Sequence, residues 1–223
     1  MEHYILESTL DFLKELQRNN KRDWFNENKA LYIEAQQNFI KVVDDIIHGI
    51  ANFDESVERL EAKSCVFRIY KDTRFSKDKI PYKTNMGASL REKGSKTLSH
   101  SGYYIHLEPG KSFLAGGVYM TETANLKLIR QKISTESQSF LNIINNKNFK
   151  EKLEMRGEKL VRIPQGFDKE DPMEDYLKFK QFTVFHELSD KEILDPHVVK
   201  NAVDVFKIIH PFNQFLADAI NND

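Results

Sequence analysis

The chain has a single cysteine, Cys65, in 223 residues. A lone thiol cannot close an internal disulfide, so packing and hydrogen bonds must hold the fold. Cys65 lies in the apolar run "SCVFRIY" with no activating base beside it, and reads as a buried small hydrophobe. Long apolar runs are missing too. None approaches the ~20 residues of a spanning helix, and no signal peptide precedes Leu6. A soluble, cytoplasmic protein without membrane association is expected. Charge of one sign is also lacking: the formal net charge is -1 and the pI about 6.7. A general nucleic-acid binder would carry a strong basic excess, which leaves room only for a local patch. Repeats, low-complexity tracts and convincing linkers are absent, so one α+β domain over residues 1–223 is the simplest account.

The usual phosphate motifs are missing as well. "EPGKSF" contains GKS but lacks the first glycine of a P-loop and runs into strand-like residues, where no helix N-terminus can present its N–H groups. "GGVYM" is no dinucleotide fingerprint; Gly116 and Gly117 are expected to permit a bulge or a close backbone approach. No His, Cys or Asp cluster has metal-ligand spacing, so neither metal nor cofactor is expected. His3, His48, His100, His197 and His210 have no obvious sequence partners and read as surface or capping residues.

What is present is a globular composition, 40% hydrophobic and 30% charged, with 16 phenylalanines. Phe brings apolar area without a polar handle, so most of these should be core. Leu10, Leu13 and Leu16 recur at helical spacing, with Ser8 as cap and Asp11 behind it. A second cap at Asn20 and Asp23 opens a helix expected from Lys21 to His48, about 40 Å long. Phe25, Tyr32, Phe39, Val43, Ile46 and Ile50 line it, and Gly49 stops it. "CVFRIY", "GYYIHLEP", "KSFLAGGVYM", "GEKLVRIP" and "FKQFTVFHEL" read as strands. The second and third join at Pro109-Gly110, which makes an antiparallel meander the simplest topology. Helices come next at "TANLKLIRQKISTESQSFLNII", "KNFKEKLEM" and the C-terminus. There Asp195 caps, Pro196 starts and Pro211 kinks or breaks the helix.

The most unusual stretch is "RIYKDTRFSKDKIPYKTN", residues 68–85. It holds six basic residues against two acidic ones, a net +4 in a near-neutral chain. Two readings stand. Arg68, Arg74, Lys77, Lys79 and Lys83, joined by Arg22, converge on a phosphate or carboxylate, with Tyr70, Tyr82 and Tyr104 as an aromatic wall. Alternatively the charges pair internally or face solvent, where each pair is worth only about 0–1 kcal/mol.

In "GYYIHLEP" alternation puts Tyr104, His106 and Glu108 on one face and Tyr103, Ile105 and Leu107 on the other. If Arg68 shares the polar face, His106 and Glu108 are candidate catalytic residues for acid–base chemistry on an anionic substrate. Cross-strand polar pairing is the alternative. Trp24, in "NNKRDWFNENK", should pack a turn against the core. The loop "RIPQGFDKEDPMEDYLKFK" offers acids to the basic stretch.

Three segments carry a family resemblance: "FLKELQRNNKRDWFNENKALY", "FRIYKDTRFSKDKIPYKTN" and "GYYIHLEPGKSFLAGGVY". Through them, with "IRQKI" and "FKQFTVFHEL" in order, the chain resembles the family catalogued as domain of unknown function 2461 over nearly its whole length. The matching positions are Asn20, Arg22, Trp24, Phe25, Lys29, Arg68, Asp72, Arg74, Phe75, Lys79, Pro81, Tyr82 and Lys83. The resemblance implies no activity or substrate. From the residues, binding of a phosphate-bearing or other polyanionic ligand, a small polyanion or a nucleic-acid backbone, leads. An enzyme using His106 and Glu108 on a small anion, and a scaffold docking an acidic protein, are the alternatives.

Overall fold

Leu10, Leu13 and Leu16 are fully buried, on a first helix α1 (Glu7–Arg18) of a computed structural model that describes residues 3–72, 80–91 and 101–221. Ser8 is not its cap, because the helix begins before it. Instead Asn38, far along the chain, accepts from the Leu6 N–H (3.0 Å) and the Thr9 hydroxyl (2.8 Å) and donates to the Tyr4 carbonyl (2.9 Å). One amide thereby satisfies polar groups that a helix start leaves open.

The long helix expected from Lys21 is two helices, α2 (Arg22–Glu27) and α3 (Lys29–Ala51). The break is at Asn28, whose side chain donates to the Trp24 carbonyl at 2.8 Å, a local bond that competes with the helix ladder. Helix α3 continues past Gly49. A Cβ at Gly49 would lie 2.4 Å from a Val203 methyl, so this glycine serves close packing rather than termination. Phe39, Val43, Ile46 and Ile50 form the buried face as expected.

The chain continues through α4 (Ala62–Cys65), β1 (Met86–Leu90), β2 (Gly102–Leu107), β3 (Ser112–Val118), α5 (Thr123–Thr135), α6 (Ser137–Ile144) and α7 (Lys147–Lys152). Then come β4 (Glu154–Arg156), α8 (Glu174–Leu177), β5 (Phe182–Leu188), α9 (Asp190–Ile193) and α10 (Val198–Asn221). The antiparallel sheet runs β1-β2-β3-β5-β4. The fold is therefore α+β with five strands, as the sequence predicts, but two strands are misplaced by it. "CVFRIY" opens as the end of α4 and continues as extended chain held by single bridges, Val66 to Ala88 and Tyr70 to Tyr82. "GEKLVRIP" is preceded by the strand rather than containing it; β4 pairs with β5 through Met155 and Val184.

Two compact units emerge, each assembled from separate segments: Met1–Leu90, Tyr104–Leu114 and Glu187–Asp204 in the first, Arg91–Tyr103, Ala115–His186 and Val205–Asp223 in the second. The second has a phenylalanine core, with Phe140 against Phe212 and Phe215 at 6.3 and 5.5 Å between ring centres. Gly117, at φ 111°, lets its strand approach β5 so closely that a Cβ there would lie 2.0 Å from the Phe182 carbonyl. Glu136 separates α5 from α6 where one helix was expected. Helix α10 runs on through Pro211. Its start is at Val198, with Asp195 accepting from the His197 N–H at 2.7 Å and Pro196 ahead of the helix.

Candidate functional site

The polar face of β2 is built within the first unit. Burial alternates along Gly102–Leu107, so Tyr103, Ile105 and Leu107 go inward while Tyr104 and His106 line the other face. Glu108 continues that face. The Tyr104 hydroxyl is 3.1 Å from His106 Nδ1, and His106 Nε2 is 3.2 Å from Glu108 Oε2. Glu108 is held from the far side: its Oε1 accepts from the Thr84 hydroxyl at 3.0 Å and from Gln17 at 3.5 Å. The imidazole lies flat on Phe113, centres 4.5 Å apart and planes 12° apart. Both nitrogens of His106 are thus engaged, and its side chain is 13% exposed against 16% for Glu108. Thr84, Gln17 and Phe113 were not visible as site residues in the sequence, since each arrives from another segment.

Gly87 makes room for this arrangement. A Cβ there would lie 2.6 Å from the Tyr104 hydroxyl oxygen. The same stretch of β1 accepts from the Phe67 N–H at 2.9 Å through the Gly87 carbonyl. That bond brings the Phe67 ring within 6.2 Å of the Tyr104 ring, centre to centre.

The basic stretch is present as two extended arms, residues 66–72 and 80–85. They are pinned by Lys83 N–H to the Ile69 carbonyl (2.8 Å) and Lys71 N–H to the Pro81 carbonyl (2.9 Å). Asn20 clamps the second arm rather than capping a helix. Its amide donates to the Tyr82 carbonyl at 3.0 Å and accepts from the Tyr82 N–H at 3.2 Å. Arg68 is exposed and Lys83 half-buried. Lys83 Nζ stands 5.3 Å from the centre of the Phe67 ring. Burial, and then the neighbouring Arg68 charge, hold the Lys83 ammonium below the ordinary lysine pKa. Among the described residues neither Arg68 nor Lys83 has a carboxylate within ion-pair distance.

Of the remaining candidates, Tyr70 and Tyr82 sit together, ring centres 5.4 Å apart. Arg74, Lys77 and Lys79, with Phe75 and Asp78, lie outside the described residues, as does His100. Arg22 is exposed at the start of α2. Tyr82 is buried and stacks on Phe25 at 3.9 Å; burial and then Tyr70 raise its pKa, against a smaller lowering by Arg22. Tyr70 is 49% exposed. The structure therefore joins Tyr104, His106 and Glu108 by hydrogen bonds and sets Arg68 beside Lys83. Trp24 packs on Phe12, centres 6.2 Å apart, in the structural role expected of it. Histidines without sequence partners have spatial ones: His3 with Asp45 at 2.9 Å, His210 with Tyr103 at 3.0 Å. The acids of the loop around residue 170 are used nearby, Asp171 accepting from Ser134 and from the Met173 N–H. Among the described residues no group of three or more His, Cys, Asp or Glu side chains is placed to hold a metal ion. No described helix is long and apolar enough to cross a membrane.

Residues 8–215 match the model of the family described as "Conserved hypothetical protein (DUF2461)", and the chain belongs to that family. No curated protein and no solved structure matches it.

Proposed function

We propose that the protein binds a phosphate-bearing or other polyanionic ligand at the paired arms of the basic stretch, with Arg68 from one arm and Lys83 from the other as the described cations. One observation carries this reading. The Lys83 N–H donates to the carbonyl of Ile69, the residue next to Arg68, at 2.8 Å, so the pairing of the arms brings two cations together, and no described carboxylate neutralises either. Like charges at short range repel, and an arriving anion relieves the repulsion. Arg68 supplies a rigid fork of donors suited to phosphate oxygens, and Lys83 a compact point charge. Lys83 is also braced on the Phe67 ring, an attraction that favours its charged form. With a net chain charge of -1, the pull on an anion is local and should not extend to nucleic acid at large.

Calorimetric titration with pyrophosphate, nucleoside triphosphates and short single-stranded DNA, at 50 and 200 mM salt, tests the reading. One of the phosphate compounds should bind, more weakly at the higher salt. Arg68→Ala and Lys83→Met should each weaken binding by about tenfold or more, since a hydrogen bond to a charged group is worth about 1.5–3 kcal/mol. Absence of binding by every polyanion at 50 mM salt would eliminate it.

A further inference from the structure

The chain of bonds on the β2 face ends at an oxygen, not at an imidazole. Glu108 is fixed by Thr84 and Gln17, His106 is fixed by Glu108 and Phe113, and the remaining nitrogen of His106 meets the Tyr104 hydroxyl. If Nε2 donates to the carboxylate, Nδ1 is left as an acceptor aimed at the phenol. A carboxylate, an imidazole and a hydroxyl in that order form the arrangement that activates oxygen nucleophiles. A free phenol holds its proton more tightly than free imidazole by only about 3.5 pK units, a far smaller gap than for an aliphatic hydroxyl. The Phe67 ring lies beside Tyr104 on one hand and beneath Lys83 on the other, so the phenol and the cations belong to one neighbourhood of the first unit.

We propose that Tyr104 is a nucleophile and that the ligand held by Arg68 and Lys83 is a phosphate ester on which it acts. The phenol proton passes to His106 Nδ1, and Glu108 stabilises the imidazolium. Tyr104 Oη forms a bond to phosphorus while the bond from phosphorus to the leaving oxygen breaks. The electron pair departs with that oxygen, and the imidazolium returns the proton to it. Water then attacks the phosphotyrosyl bond with His106 as base, which restores the phenol and completes a hydrolysis. No oxidant or reductant is needed. On this account Tyr104 is the nucleophile and His106 the general base and acid, both catalytic, and Glu108 is the positioning residue that holds the imidazole. The choice of phosphorus as the electrophile rests on the anion-binding reading; the reactivity of Tyr104 does not.

A neutral electrophile separates the two. Phenylmethylsulfonyl fluoride reacts with an activated phenol by forming an O–S bond and releasing fluoride, and it needs no cationic site. The full-length protein is treated with the reagent, and labelling at each tyrosine is followed by peptide mass spectrometry. Tyr119, 60% exposed, is the internal reference. Tyr104 should label at least tenfold faster than Tyr119 although it is less exposed. His106→Gln should bring the two rates together. Gly87→Ala, whose Cβ would lie 2.6 Å from the Tyr104 hydroxyl and displace it while all three side chains are retained, should do the same. Equal rates at Tyr104 and Tyr119 in the wild-type protein, or a ratio unaffected by His106→Gln, would overturn the proposal. Fast labelling without pyrophosphate binding would overturn the anion-binding reading alone.

Discussion

Arg130 in the second unit and Lys83 in the first are both cations drawn out of water, and burial holds each below its ordinary pKa. Their surroundings differ. Arg130 is 6% exposed and spends its guanidinium on the chain itself, donating to the Leu177 carbonyl at 2.7 Å and the Phe179 carbonyl at 2.8 Å. Lys83 has an aromatic face beneath it and a second cation beside it. A buried charge whose donors are matched to carbonyls is a structural clamp. A half-buried charge set beside its like adds little to stability, and that mismatch is the physical reason to assign it to a ligand.

Substitutions put this contrast to the test. Arg130→Met should destabilise most, by about 3 kcal/mol, because it removes two charge-assisted bonds and leaves two carbonyls to find other partners. For a chain of this size that lowers Tm by about 6–12 °C. Urea unfolding measures it, and a loss below about 1 kcal/mol would erase the distinction between clamp and site. Asn20→Ala comes next, at about 2 kcal/mol, through its two bonds to the Tyr82 backbone. It should also weaken pyrophosphate binding, since Tyr82 precedes Lys83 on the clamped arm. Arg68→Ala should move stability by no more than about 0.5 kcal/mol while affinity for the anion falls.

The pH dependence has a definite sign. The folded pKa of Lys83 lies below that of the unfolded chain, so between the two values the unfolded state binds more protons and stability rises with pH. Lys83 therefore costs stability at neutral pH, and the cost fades as pH climbs toward about 10.5. Between pH 7 and 10 the wild-type protein should gain stability relative to Lys83→Met. Parallel curves for the two proteins would mean that Lys83 titrates as an ordinary surface lysine.

The parts legible in the sequence are those that local spacing governs. Alternation alone put Tyr104, His106 and Glu108 on one face of β2, and three leucines at helical spacing gave α1. The features that escaped come from distant segments. Asn20 looks like a helix cap until Tyr82, 62 residues away, takes both ends of its amide. Ser8 loses its capping role to Asn38 for the same reason. Glu108 is fixed by Thr84 and Gln17, and nothing local to either announces it. The break at Asn28 was legible in principle, because an asparagine side chain can bond its own helix backbone, but an apolar face that continues through it outweighs that signal in a sequence. Gly87 carried no signal at all; only the position of the Tyr104 hydroxyl shows why a side chain is excluded there.

On this reading the Arg68–Lys83 pair is a charge awaiting an anion. The Lys83 Nζ resonance, assigned by its loss in Lys83→Met, reports on the pair when it is followed through a pH titration with and without pyrophosphate. Without the anion Lys83 should titrate below the ordinary lysine range, and with it the titration should move upward as the added negative charge offsets Arg68. A Lys83 resonance that neither shifts with pyrophosphate nor titrates differently in its presence would rule out an anion site at this pair.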